Sequence, residues 1–226
     1  MTLLSQAKLK PVKGVGMEGF IATWYAKNTG RSLAEFRNLA KRLEKELRQG
    51  DRVLEVAPGP GYLAIELARS GAFQVTGLDI SHSFVRIAAD NARREGVAVD
   101  FRQGNASELP FATDTFDFIV TRAAFKNFGD PVGAIREMHR VLRPGGIALI
   151  IDMRKEASHE AIADEVSKMN LGPLSALMTR ATLEQLKRRA YTKDDLVRMV
   201  AQTPFGHAAI DDGGIGFEMW MTKQAK

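Results

Sequence analysis

Glu55-Val-Ala-Pro-Gly-Pro-Gly61 is the stretch whose reading decides the fold. A short apolar run, Arg52–Ala57, leads into it, and a helical pattern over Leu63–Ser70 follows, so it reads as a strand-to-helix turn. Gly59 and Gly61 lack Cβ, which lets a ligand approach the backbone and makes positive φ available. The helix start behind them offers unpaired N–H groups and a partial positive charge, suited to a carboxylate or a phosphate. The next strand, Phe73–Leu78, ends in Asp79, where an acid is placed to accept hydrogen bonds from both hydroxyls of a ribose.

Working outward, strand and helix patterns alternate. A helix over Phe84–Arg94 precedes a strand at Ala98–Arg102, and Phe116–Thr121 is a further apolar strand. Asp130-Pro131 reads as an N-cap with proline at the first helical position, where its missing N–H costs nothing. Arg143-Pro-Gly-Gly146 is expected to end that helix ahead of an almost wholly apolar strand, Ile147–Asp152. Apolar runs of this kind suit strands buried on both faces. The expected architecture is therefore α/β, a doubly wound and mostly parallel seven-stranded sheet with helices on both sides. Two last runs, His207–Asp211 and Phe217–Thr222, flank Asp212-Gly-Gly214 and predict an antiparallel C-terminal hairpin at the sheet edge.

The chain is expected to form a single domain, 1–226, in four parts. Residues 1–31 are an N-terminal lid segment, and 32–153 the core, opened by a capping box at Ser32-Leu-Ala-Glu35. Residues 154–190 are a helical lid insertion, and 191–226 a C-terminal helix and hairpin, the helix starting at Thr192-Lys-Asp-Asp195. At 226 residues, 45% hydrophobic and 26% charged, the composition is that of a globular protein. No apolar run approaches a membrane span, and the N-terminus carries no recognisable secretory signal, so a cytoplasmic location is expected. With no cysteine there is no disulfide, thiolate nucleophile or Cys-based zinc site, and no metal is expected. The net charge of +5 is spread over interleaved basic and acidic residues, which argues against a nucleic-acid partner. A homo-oligomer stays open.

The glycine turn alone also fits a dinucleotide site, with Gly59, Gly61 and Ala64 as a loose G-x-G-x-x-A. Pro58 and Pro60, however, remove two backbone donors from a loop that would cradle a pyrophosphate. Glu55 adds an acid beside the turn, unhelpful to phosphate but useful near a cationic ligand. S-adenosyl-L-methionine carries both an ammonium and a sulfonium.

Val53-Leu-Glu-Val-Ala-Pro-Gly-Pro-Gly61, Gly77-Leu-Asp-Ile-Ser81, Gly104-Asn-Ala-Ser-Glu-Leu-Pro-Phe111, Phe116-Asp-Phe-Ile-Val120 and Val141-Leu-Arg-Pro-Gly-Gly146 occur in this order. Together they resemble the class I S-adenosylmethionine-dependent methyltransferases, in particular the small-molecule branch with the ubiquinone/menaquinone-biosynthesis enzymes. The likeness covers residues 33–153 and, more weakly, the terminal hairpin. It implies that Glu55, Ala57, Pro58, Gly59, Gly61 and Tyr62 line the methionine and ribose end of the cofactor, with Asp79 on the ribose hydroxyls. Ile80 and Ser81 would lie along the adenine, Asn105 and Ala106 at its edge, and Arg122 beside the methyl donor. Ala57 stands where the family more often has glycine, and Asn105 where it often has aspartate.

Methyl transfer is an in-line displacement at an already activated carbon, so alignment and exclusion of water supply much of the acceleration. A base is needed only for acceptors such as a phenol or an enolisable carbon. No catalytic residue is identified outright; Lys126 and Asn127, in the loop after the fourth strand, and Tyr25 are the candidates. The acceptor is expected to be an apolar or aromatic small molecule, walled by Met17, Phe20, Trp24, Tyr25, Phe125, Lys126, Met169, Met178 and Tyr191. The readings set against this are a nicotinamide-dependent oxidoreductase and a methyltransferase-fold binding protein without turnover.

Overall fold

The computed structural model describes residues 17–19, 22, 23, 26 and 33–225. Helix α1 (Leu33–Leu43) is followed by β1 (Arg52–Val56), α2 (Tyr62–Ala68), β2 (Gln74–Asp79), α3 (His82–Glu95), β3 (Asp100–Gln103) and β4 (Phe116–Arg122). A 3-10 turn at Phe125–Asn127 leads to α4 (Pro131–Val141), β5 (Leu142–Met153), α5 (His159–Lys168), α6 (Pro173–Lys187), α7 (Lys193–Ala201), β6 (Ala209–Gly213) and β7 (Gly216–Thr222). The strands form one sheet in the order β3-β2-β1-β4-β5-β7-β6. The first five are parallel, and β7 runs antiparallel to both β5 and β6. This is the expected doubly wound sheet with its closing hairpin.

Alternation along the strands divides the core between the two faces. Val53, Val75, Phe118, Val120 and Leu149 meet Phe36, Leu39 and Leu43 of α1 and Leu63 and Leu67 of α2. Leu54, Leu78, Ile119, Ala148 and Ile150 meet Ile135 and Met138 of α4 and Leu196 and Val200 of α7. Phe116 shares a face with Ile119 because the β4–β5 register shifts between Phe116 and Phe118. Both faces are covered, as a parallel sheet requires.

The caps expected at Asp130 and Thr192 are both present. Asp130 accepts from the Gly133 N–H with Pro131 in the first turn, and Thr192 forms a reciprocal capping box with Asp195. Ser32 lies outside the described residues. Two boundaries are corrected. Arg143-Pro-Gly-Gly146 belongs to β5 rather than ending α4, because Gly145 N–H donates to the Lys223 carbonyl and Lys223 N–H to that of Gly146, which extends the ladder past β7. The hairpin link is Gly214-Ile215, starting two residues beyond the start of the expected Asp212-Gly-Gly214 link. Gly213 pairs with Gly216, and Gly214 takes the positive φ that a tight loop needs.

The chain order reverses between β1 and β4. Strands β2 and β3 are laid on one side of β1, and β4 and β5 on the other. Open parallel sheets bind ligands at the carboxyl ends of the strands flanking that point.

Candidate active site

A cavity of about 540 Å3 occupies that position. Its walls include Glu55 and Val56 from the end of β1, Ala57–Pro60 from the turn, Leu78 and Asp79 from β2, and Arg122 from β4. The volume lies in the usual range for small-molecule sites.

The turn is held by its own strands. Ala57 N–H donates to the Leu78 carbonyl, and Ala57 adopts φ +58°. That left-handed backbone, where the family more often has glycine, costs an alanine roughly 1 kcal/mol. The two loop glycines serve different ends. A Cβ at Gly59 (φ +54°) would meet nothing, so this glycine borders open space. A Cβ at Gly61 (φ +82°) would strike Phe101 of β3 at 2.7 Å and Ala88 of α3 at 2.9 Å. Gly61 is therefore a packing position between helix and sheet, and neither it nor Tyr62 is among the lining residues. The Tyr62 hydroxyl donates to the Ala26 carbonyl and its ring leans on Phe36.

Two carboxylates govern the electrostatics. Asp79 is buried, and its oxygens accept from the Gly59 N–H at 3.0 Å and the Ser81 N–H at 2.9 Å, tying the glycine turn to the start of α3. Burial pushes its carboxyl up to about 6 against those two bonds. Glu55 is also buried and accepts from the Ala64 N–H at 2.8 Å, so it caps the helix that its own turn starts. Burial raises its carboxyl to about 8, opposed by the Ala64 bond and by the nearby Arg122.

The raised Glu55 carboxyl makes folding stability depend on pH. Between about 4.5 and about 8 the folded protein keeps a proton that the unfolded chain has released, so this group's contribution to stability falls as pH rises. Glu55→Gln leaves an amide oxygen for Ala64 without the ionisation. Its melting temperature should gain on the parent's as pH rises toward about 8, and the gain should vanish near the acid end of that window. A difference that stays constant across pH would mean that Glu55 is not the buried acid responsible.

The other expected residues fall at several places. Ile80, Ser81, Asn105 and Ala106 line the cavity. Ser81 caps α3 by accepting from Phe84 N–H, and Asn105 accepts from Ser107 N–H. Arg122 reaches Glu35 at 3.0 Å and lies over the Phe36 ring at 4.6 Å. Lys126 lines the wall, yet its ammonium is engaged, donating to Asp152 and to the Ala123 carbonyl, both at 2.7 Å. Asn127 also lines it, and its side-chain Oδ1 is buried without a hydrogen-bond partner.

Met17 is on the cavity wall. Phe20, Trp24 and Tyr25 lie outside the described residues. Phe125 is fully buried in the core, its ring against Phe128 and Tyr191, and neither Phe125 nor Tyr191 lines the cavity. Met169 and Met178 are exposed and away from it.

The lining also holds residues that sequence patterns did not single out: Glu18, Phe36, Phe84, Phe128, Leu186 and Arg189. Glu18 accepts from the His82 and Ser83 N–H groups while Ser81 Oγ donates to the Met17 carbonyl, so this segment is clasped to the start of α3. No local pattern reveals a clasp between residues 64 positions apart. Among the described residues, no cluster of His, Asp or Glu is arranged to hold a metal ion.

Residues 54–150 match the family model described as a methyltransferase domain. The ubiquinone/menaquinone biosynthesis C-methyltransferase UbiE of Bdellovibrio bacteriovorus is 37% identical over 106 residues, covering 46% of this chain and 45% of that protein. The 2-phytyl-1,4-naphtoquinone methyltransferase of Synechococcus elongatus is 36% identical over 115 residues, 49% of each chain. The match thus spans about half the length of these curated relatives. A solved structure of a candidate S-adenosyl-L-methionine-dependent methyltransferase from Methanococcus maripaludis superposes with a TM-score of 0.73 at 21% identity, over 95% of this chain and 97% of that one. Residues 54–150 therefore match a methyltransferase domain, and their sequence resembles the ubiquinone and menaquinone methyltransferases.

Proposed function

We propose that this chain transfers the methyl group of S-adenosyl-L-methionine to a small aromatic acceptor of the quinol type. The observation that carries the reading is the buried Asp79 carboxylate at the end of β2, beside the open face of Gly59 and within the same cavity as Glu55. An acceptor for ribose hydroxyls, a side-chain-free approach and an acid for a cationic tail suit this cofactor better than a pyrophosphate. The quinol class rests on what the two relatives are named for, and on the Phe36, Phe84, Phe128 and Leu186 walls.

When bound, the cofactor would supply an electrophilic methyl on a sulfonium. The acceptor's nucleophilic atom would take it in line as the S–CH3 bond breaks, its electron pair staying on the thioether of S-adenosylhomocysteine and the acceptor's proton passing to solvent. The chain's residues hold the two partners and exclude water. Asp79 takes the ribose hydroxyls, and a cation beside Glu55 favours its ionised form. Asn127, with its orphaned Oδ1, accepts a hydrogen bond from the acceptor's hydroxyl, which orients the ring and offsets the cost of burying that oxygen. Arg122 screens Glu55 and closes the side of the cavity next to α1.

The test is a two-stage assay. Calorimetric titration with S-adenosylhomocysteine should give saturable binding, and methyl-tritiated S-adenosylmethionine with 1,4-naphthohydroquinone should yield label in the organic phase. A folded sample that does not bind S-adenosylhomocysteine defeats the cofactor assignment. Binding with no transfer to hydroquinones or phenols defeats the acceptor assignment.

A further inference from the structure

Helix α6 is built the wrong way round for a helix of a globular core. None of its residues is buried, and Leu174, Leu177 and Met178 are 71%, 66% and 64% exposed. At 100° per residue these three and Ala181 fall on one stripe, with the i, i+3, i+4, i+7 spacing that ordinarily faces inward. Here the stripe faces out. The helix touches the protein through its other side, where Leu183 and Leu186 are half-buried.

Charge accompanies the stripe. From Lys168 to Arg189 the chain has five basic residues (Lys168, Arg180, Lys187, Arg188 and Arg189) against one acid, Glu184, within a chain of net charge +5. Glu184 is already engaged by His159 and Lys187. Arg180 falls on one flank of the apolar stripe, and Arg188, just past the last helical residue, lies at its C-terminal end. An exposed apolar stripe with one cation beside it and another at its end suits an anionic lipid headgroup layer. A second copy fits less well, since a two-fold contact across this face would set the same cations against each other.

We propose that the outward face of α6 docks on an anionic bilayer surface, with Leu174, Leu177 and Met178 at the acyl boundary and Arg180 and Arg188 on lipid phosphates. The chain lies on the membrane and does not cross it there. No helix among the described residues is long and apolar enough to span. Leu186 of α6 and Arg189 just beyond it line the cavity, so docking surface and cavity share one segment. The inference does not rest on methyl transfer, because vesicle binding is read without turnover.

Flotation of the whole chain with vesicles tests it. The protein should float with phosphatidylcholine vesicles containing phosphatidylglycerol, remain behind with phosphatidylcholine alone, and be released by high salt. Leu174→Ser/Leu177→Ser should weaken partitioning by about tenfold or more. Arg180→Gln/Arg188→Gln should weaken it by about fivefold per cation removed. All four side chains are solvent-exposed, and unchanged thermal melts will show that each variant is folded. The proposal falls if the parent ignores the anionic vesicles, or if the leucine variant floats as well as the parent. It also falls if the parent is a dimer that the leucine substitutions split while neither form binds lipid, since the face is then covered by a second copy.

Discussion

Asp79→Ala is expected to weaken S-adenosylhomocysteine binding by at least about 100-fold, from two hydrogen bonds to a charged group at roughly 1.5 kcal/mol or more each. Alanine also removes the acceptor for the Gly59 and Ser81 N–H groups, so part of the loss comes through a loosened turn. Asp79→Asn separates the two effects. It keeps one oxygen for the backbone and should melt nearer the parent, yet it replaces the second acceptor with a donor. A pH series adds a signature that a purely structural role would not produce. With its carboxyl raised to about 6, the parent loses the ionised form, and with it affinity, as pH falls through that value. The asparagine variant should show no such step. If both variants bind with the parent's dissociation constant, Asp79 does not hold the ribose.

The turn, Asp79 and the strand rhythm were readable because each is local. A strand, a glycine turn and a helix start occupy consecutive residues, and Asp79 falls at the end of the next apolar run. The finer reason for each glycine was not local. Gly59 faces open space, whereas Gly61 is constrained by Phe101 and Ala88, which the chain reaches only by adding β3 beside β2. Arg143–Gly146 reads as a break because proline and glycines punctuate chains. The ladder that absorbs it is completed by Lys223, some 80 residues later.

The walls of the cavity were the least legible part. Helical spacing says which residues share a face and is silent about where that face points. Met178 does share a stripe with Leu174 and Leu177, but the stripe turns to solvent, and the cavity receives Leu186 and Arg189 from the other side of the segment. Phe125 and Tyr191 carry the aromatic character expected of a pocket and spend it on each other inside the core, 5.6 Å between ring centroids. Asn127 was visible as a residue type in the right loop. That its oxygen is buried and unpaired is a property of packing alone.

Lys126 tests whether that loop is held by an ion pair or by its apolar neighbours. Its ammonium and Asp152 are 2.7 Å apart, with side chains only 6% and 1% exposed. Asp152 also accepts from the N–H groups of Lys126 and Met153, while the Lys126 ammonium secures the carbonyl of Ala123, whose φ is +58°. Removing one partner of such a pair leaves a buried charge uncompensated, which costs about 3–5 kcal/mol. Lys126→Met should therefore lower urea-unfolding stability by about that amount. Adding Asp152→Asn removes the stranded charge and keeps an oxygen for one of the two backbone donors, so the double variant should recover about half of the loss. A cost under about 1 kcal/mol for Lys126→Met, or a double variant no more stable than the single one, would show that the ion pair does not hold the wall. In that event apolar contacts of the Phe125 and Phe128 rings hold the loop, and truncating those rings, not the lysine, would open it.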